Sequence, residues 1–512
     1  MKRILVVFIV ALTCVGAMWL VSGAQVQAEQ TAAVEVAEAD VTAPKYVFLF
    51  IGDGMGFPQK TAAEMVAGER LVIDQFPAQG VTTTYAADRF ITGSAASATA
   101  MASGQKTNIG MLGQTPDGQH VVSIAEMARD MGMKVGIISS VSIDHATPAA
   151  FYAHVPKRGQ YYDIDVALAQ SNFDFFGGGG IKDPTNKREN ATEFVGDVND
   201  LLAENGYSVI DNRDDFMALT PESGKVVCWN NWLQDSGAMP YHMDVREGED
   251  ITIAEFTAKA IEMLDNENGF FIMVEGGKID WACHANDGTA AIEDTLAFDA
   301  AVQHAVDFYN AHPDETLIVV SGDHECGGLT LGFAGTKYAS NFELLGAQTV
   351  SFQYFTAEIL ADFKEQHADG ATFEDIKPLI TEYFGLKFEG AEDDLLVLRD
   401  SEIAQLEEAF ELSMSGETID TQDYQTYVVY SDSYDPLALT LTHVLNQKAG
   451  LGWTSYKHTG VPVGTSAIGI GHELFNGYYD NTDVALKIMD IMGIDPQVHM
   501  ADTTVGEEVA AQ

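Results

Sequence analysis

A run of six apolar residues, Tyr46-Val47-Phe48-Leu49-Phe50-Ile51, passes straight into Gly52-Asp53-Gly54. Unbroken apolar runs of this length suit strands buried on both faces, whereas a half-exposed strand alternates. The pattern recurs at Val135-Gly136-Ile137-Ile138, Phe270-Phe271-Ile272-Met273-Val274 and Leu317-Ile318-Val319-Val320. Helical spacing fills the intervals, as in Ser123 to Asp130 and Ile253 to Leu264. Buried strands separated by helices predict an α/β fold with a large, mostly parallel central β-sheet sandwiched between helices. In such sheets ligands gather beyond the carboxyl ends of the strands. This chain places its unusual polar residues there.

The 512 residues, 46% of them hydrophobic, suffice for one large core with insertions. Lys2 and Arg3, then an apolar run from Ile4 to about Val21, then small residues ending at Ala28, read as a signal peptide over 1–28. The run is long enough that retention as an anchor is the alternative. Residues 29–44 read as a flexible acidic leader and 45–335 as the first part of a catalytic core. Between 336 and 450 the spacing turns helical and acidic, as in Ala357 to His367, Asp375 to Phe384 and Ser401 to Met414. That stretch is expected to be a helical insertion serving as lid, interface or decoration. The core resumes over 451–498, with strand-like alternation near Thr465 to Ile470, and 499–512 form an acidic tail. No segment after the signal is apolar enough for long enough to span a bilayer.

Charge narrows the partners. Lys and Arg total 27 against 76 Asp and Glu, a formal net charge of −49. Such a surface repels polyanions, which argues against a nucleic-acid or anionic-lipid partner. Solubility in a salty medium accounts for most of the charge, and metal attraction for a few carboxylates. With Cys14 in the signal, Cys228, Cys283 and Cys326 remain, an odd number, so at least one thiol is free or pairs between chains.

Six segments carry candidate chemistry. Gly52-Asp53-Gly54-Met55-Gly56 follows the first strand; its Asp53 suits a metal or a helix cap, and the spacing is not that of a dinucleotide fingerprint. Ser94 sits in Thr92-Gly93-Ser94-Ala95-Ala96-Ser97, where small neighbours leave a hydroxyl at a helix start open to an anion; an ordinary close-packed helix start has the same look. Asp144-His145-Ala146-Thr147-Pro148 offers the hard hydroxyl of Thr147, and Arg158 beyond it has the planar fork that grips two phosphate oxygens. His154 is expected to pack or hydrogen-bond rather than ligate. Val274-Glu275-Gly276-Gly277-Lys278-Ile279-Asp280-Trp281-Ala282-Cys283-His284 is more specific, with Asp280 and His284 on one helical face and Glu275 at a strand end. Asp323-His324 repeats the logic after the fourth apolar run, and His458 lies in the polar loop Tyr456 to Gly460. Together these residues supply ligands for two zinc sites and one magnesium site.

The set resembles the alkaline phosphatase family. The likeness rests on GDGMG at 52–56, GSAASATA at 93–100, HATPAA at 145–150 with Arg158, VEG-x3-D-x3-H at 274–284, GDH at 322–324 and HTG at 458–460. The resemblance implies one Zn2+ on Asp280, His284 and His458. A second Zn2+ would rest on Asp53, Asp323 and His324, with Ser94 as nucleophile. A Mg2+ would rest on Asp53, Thr147 and Glu275. It further implies that Arg158 clamps phosphate, that His145 and Trp281 shape water access or the magnesium's surroundings, and that small phosphate monoesters are the substrates. The common state of the family implies a homodimer, and the signal implies a periplasmic or extracellular location. Many members carry Asp where this chain has Gly93, so Arg158 is expected to be mobile and phosphate to be held weakly. A phosphodiesterase or other phosphoryl or sulfuryl hydrolase of the same superfamily is the nearest alternative, and a non-catalytic metal- or phosphate-binding protein the more distant one.

Overall fold

The computed structural model describes residues 43–495, apart from 418 and 421. The signal over 1–28, most of the leader and the tail over 499–512 lie outside the described residues.

The four apolar runs are adjacent or near-adjacent strands at the centre of one sheet. These are β1 (Tyr46–Gly52), β3 (Lys134–Ser139), β7 (Phe270–Glu275) and β8 (Thr316–Gly322). Six more strands complete the sheet: β2 (Ala78–Thr83), β4 (Phe175–Gly178), β5 (Tyr207–Ile210), β6 (Lys225–Trp229) and, after the two-stranded ribbon described below, β11 (Val463–Gly469) and β12 (Gly477–Asp480). The order across the ten strands is β12-β2-β11-β8-β1-β7-β3-β4-β6-β5. All neighbours are parallel except β11, which runs antiparallel to both β2 and β8. β1, β7 and β8 are buried along their whole length, as unbroken apolar runs require.

One hydrophobic cluster fills each face of the sheet. Val47, Leu49 and Ile51 point to one, and Phe48 and Phe50 to the other. The 24-residue helix Gly288–Ala311 and the amphipathic helix Ile253–Leu264 cover the second face. A third cluster joins Phe355, Ile376, Ile380, Phe384, Leu406, Phe410 and Leu441 to Ala62, Ala63 and Ile292. The helices Phe373–Phe384, Asp400–Ser415 and Pro436–Ala449 thus pack on the sheet-covering helices Phe57–Ala67 and Gly288–Ala311 through a core of their own.

Register places the chemistry. Ile51 pairs with both Glu275 and Ser321, Gly52 with Gly322, and Ser139 with Glu275. Four parallel strands therefore end level, and the next residues, Asp53 and Asp323, emerge beside Glu275 at one edge. A two-stranded antiparallel ribbon, β9 (Glu325–Cys326) and β10 (His458–Thr459), pairs His458 with Cys326. That ribbon carries a residue distant in sequence to the same edge.

Candidate active site

Asp53, Glu275, Asp323 and His324 are wholly buried. Their arrangement starts with a tight turn after β1. Gly54 has φ +72°, and a Cβ there would stand 2.8 Å from the Cα of Asp280. Only glycine meets both demands. The N–H of Gly54 then donates to Asp323 Oδ1 at 3.1 Å, which locks the two strand ends together.

Three groups of ligand-competent atoms converge here. Asp280 and His284 lie four apart on the helix Lys278–His284, with His284 Nε2 3.3 Å from Asp280 Oδ2. His458 Nε2 completes that group at 3.5 Å from Asp280 Oδ1 and 3.1 Å from His284 Nε2. Cys326 brings its sulfur to the edge of the same group. In the second group, His324 Nε2 lies 3.4 Å from Asp53 Oδ1 and 3.2 Å from Asp323 Oδ2. In the third, Asp53 stands with Glu275 and His145, and Thr147 Oγ1 donates to Asp53 Oδ2 at 3.5 Å. Asp53 belongs to two groups.

The electrostatics are those of a cation site. Asp53 Oδ1, Glu275 Oε1, Asp280 Oδ1, Asp323 Oδ2 and both ring nitrogens of His324 are buried without hydrogen-bond partners. Burial, then the charges of its carboxylate neighbours, pushes Asp53 well above the usual carboxylate range, and burial followed by Asp280 does the same to Asp323. Buried carboxylates this close cannot all stay ionised without counter-charge. Imidazole nitrogens mixed with carboxylates suit zinc in the first two groups; in the third, His145 gives its Nε2 to Arg158, and the oxygens of Asp53, Glu275 and Thr147 suit a harder ion.

Neighbours orient the ligands. His284 Nδ1 meets Tyr456 O at 2.6 Å and His458 Nδ1 meets Thr92 O at 3.0 Å, which leaves Nε2 of each ring aimed at the group. The Ser139 hydroxyl bonds Glu275 Oε2. Glu325 accepts from Gln59 at 2.9 Å and from the Thr459 hydroxyl, tying the ribbon to the helix Phe57–Ala67. Sequence reading missed Ser139, Gln59, Glu325 and Thr459. Only Ser139 and Glu325 carried a signal, as polar residues at the ends of buried strands.

Ser94 opens the ten-residue helix Ser94–Ser103, preceded by an extended Gly93 with no side chain to cap the first amides. His458 holds the carbonyl of Thr92 two residues before it, and Ser97, one turn on, donates to Asp323 O at 2.7 Å. The helix start is thereby fixed between the first two groups. No described residue hydrogen-bonds the Ser94 hydroxyl. The charge of Arg158 is felt at Asp53, His324 and His458.

Arg158 has two hydrogen-bond partners in place of a carboxylate at position 93. Its Nη2 donates to His145 Nε2 at 2.7 Å, and its backbone N–H donates to Gly110 O at 2.8 Å. Burial, then the Arg158 charge, pulls His145 down to about 4, so the ring is neutral and can accept that bond. Its Nδ1 faces Glu275 Oε1 at 3.7 Å, and the Trp281 ring stands edge-on 5.8 Å away. His154, as expected, hydrogen-bonds Gly113 O and Glu126. Cys228, Cys283 and Cys326 are all free and buried.

Comparison with known proteins follows the same line. The sequence profile of the family described as Alkaline phosphatase matches residues 44–494. Alkaline phosphatase 3 of Bacillus subtilis (strain 168) is 30% identical over 462 residues, spanning 87% of this chain and 88% of that protein. Alkaline phosphatase 4 of the same organism is 28% identical, spanning 92% and 93%. The crystal structure of a cold-active alkaline phosphatase from the psychrophile Shewanella sp. superposes with a TM-score of 0.71 at 27% identity, covering 87% of this chain and 99% of that one.

Proposed function

The chain belongs to the alkaline phosphatase family of metal-dependent phosphatases, and we propose that it hydrolyses phosphate monoesters to phosphate and an alcohol through a phosphoserine on Ser94. The observation that carries this reading is the convergence of three ligand groups with unpartnered polar atoms beside the start of the Ser94 helix.

In this reading Asp280, His284 and His458 hold one zinc ion, and Asp53, Asp323 and His324 a second. Asp53, Thr147 and Glu275 hold one magnesium. When bound, these ions supply Lewis-acid charge that lowers the pKa of attacking groups and offsets charge on the departing oxygen. Ser94 Oγ attacks phosphorus in line with the leaving alcohol, which departs as the serine ester forms. The fork of Arg158 holds two non-bridging oxygens throughout, and the first amides of the Ser94 helix face them. Water entering along the same line then releases phosphate and restores the serine. Trp281 and the buried walls limit how much water reaches the phosphoryl group.

The exposed apolar side chains Phe90, Ile91 and Val461 support a homodimer through the face they share. The contact of Phe90 with Gly460 brings them together. We read residues 336–450 as an insertion on a catalytic core spanning 45–335 and 451–498, and the N-terminal pattern as export to the periplasm or beyond. No described helix is long and apolar enough to cross a membrane.

The test compares a nitrophenyl phosphate monoester with the bis-nitrophenyl diester, before and after chelation and reloading with zinc and magnesium. Monoester turnover that is lost on chelation and regained on reloading, with acid-stable phosphate on Ser94, is the expected result. Preferred turnover of the diester makes the enzyme a phosphodiesterase instead.

A further inference from the structure

Behind the turn that carries His145 and Thr147, two more carboxylates meet inside the protein. Asp144 and Asp165 are both wholly buried, Asp165 on the helix Tyr161–Gln170. Asp144 Oδ2 accepts from the N–H of Lys182 at 2.6 Å, and Asp165 Oδ2 from the N–H of Asp183 at 3.3 Å. Those amides are consecutive, and their nitrogens stand within about 4 Å of each other. The two carboxylates are therefore side by side.

Their second oxygens have no partner outside the cluster. Asp144 Oδ1, Asp165 Oδ1 and the hydroxyl of Ser142 are all buried and bonded to nothing around them, and both Ser142 and Asp165 come within hydrogen-bond reach of Asp144. Ser142 itself is wholly buried. Neither carboxylate has an ion-pair partner among the described residues. The charge of Lys182 is felt at Asp144, but its ammonium turns to the Tyr161 hydroxyl at 3.4 Å and over that ring. The Tyr152 hydroxyl donates to Ile143 O. Burial first, then the charge of Asp144, holds Asp165 well above the usual carboxylate range. Two adjacent buried carboxylates and an aimed hydroxyl are stable together only with added positive charge: one shared proton or a cation.

We propose that Asp144, Asp165 and Ser142 form a structural site for calcium, separate from the catalytic ions. The donors are oxygen only, which selects a hard cation and excludes zinc on affinity. Calcium tolerates an irregular shell completed by backbone carbonyls or water, whereas magnesium demands a near-ideal octahedron. Two carboxylates balance its charge. Bound there, calcium ties the Asp144–Pro148 turn to the Tyr161–Gln170 helix and to the chain at Lys182 and Asp183. It thereby stiffens the base under His145 and Thr147.

The test uses the full chain, stripped by chelator and reloaded with saturating zinc and magnesium. Calcium is then added, and metal content and thermal midpoint are measured. One further calcium per chain and a higher midpoint are expected. Asp165→Asn should lose both while keeping its zinc and magnesium, and Ser142→Ala should weaken calcium about tenfold. If the parent takes up no further calcium, or Asp165→Asn keeps it, the proposal fails. In the first case the pair shares a proton.

Discussion

Arg158 donates to the neutral ring of His145 at 2.7 Å, and this bond supplies the support that Gly93 withholds. The other side of the same ring faces Glu275, so the arginine and the third ligand group share one orienting side chain. A hydrogen bond to a charged group is worth about 1.5–3 kcal/mol. Removing the ring by His145→Ala is therefore expected to weaken phosphate inhibition about tenfold or more, while His145→Gln, which can still accept, recovers part of the loss. Inhibition constants for inorganic phosphate check this, and an unchanged value in His145→Ala would sink the idea.

Gly93→Asp gives the converse. Gly93 is extended, at φ −136° and ψ 162°, and an added Cβ would meet Ile109 at 3.4 Å and His458 Cε1 at 3.9 Å. Both are ordinary contacts, so the variant should fold. A carboxylate there offers Arg158 a second partner, and product should be held more tightly. If release of phosphate limits turnover, kcat falls while phosphate inhibition strengthens. Product inhibition identical to the parent's counts against the link between Gly93 and the arginine.

The central strands were legible because burial on both faces demands unbroken apolar residues, and Phe270 to Val274 has no other use. β2, β5 and β12 were not. β2 carries Gln79 and Gly80, and β5 exposes Ser208 and Val209, because a strand near or at the sheet edge need not be apolar throughout. The site divides the same way. Asp280 and His284 declared themselves by helical spacing. His458, a lone histidine in a polar loop, counted only as part of the whole set, since its place depends on a ribbon pairing it with Cys326, more than a hundred residues away. The His145–Arg158 bond depends on rotamers, which no spacing encodes.

Ser94→Ala should leave zinc and magnesium contents unchanged, because every other ligand remains, and lower kcat at least about a thousandfold. Acid-quenched labelling with a radioactive monoester should show phosphoserine in the parent and none in the variant. Full hydrolysis by Ser94→Ala would exclude the covalent route.

Metal loading should release protons. Asp53 and Asp323 are raised by burial and by their charged neighbours, so the metal-free protein holds protons there that ligation must displace. Groups raised in the folded state favour folding below their unfolded pKa, near 4, and that advantage is lost as pH rises. The metal-free protein should thus lose stability from about pH 4 upward, and its melting gap to the loaded protein should widen toward pH 8. Proton release on adding zinc, read with an indicator in weak buffer, and melting curves across pH test both statements.

Acid should attack a second place, behind the first ligand group. Asn286 donates its amide to Cys283 O at 2.8 Å and to Ser455 O at 3.0 Å, so its Oδ1 is left to accept from His443 Nε2 at 3.0 Å. His443 is accordingly a neutral donor, and burial lowers it to about 4. A histidine depressed on folding contributes its full stability above its unfolded pKa, near 6.5, and loses it as pH falls toward 4, because the unfolded chain takes the proton first. The loss should reach about 2 kcal/mol. His443→Gln keeps a donor for Asn286 and cannot titrate, so its urea midpoint should fall less than the parent's between pH 6.5 and 4.5. Protonation of His284, His324 and His458 affects both proteins alike and cancels in the difference. Parallel acid limbs in parent and variant would remove His443 as a cause and leave His284, His324 and His458 to account for the loss.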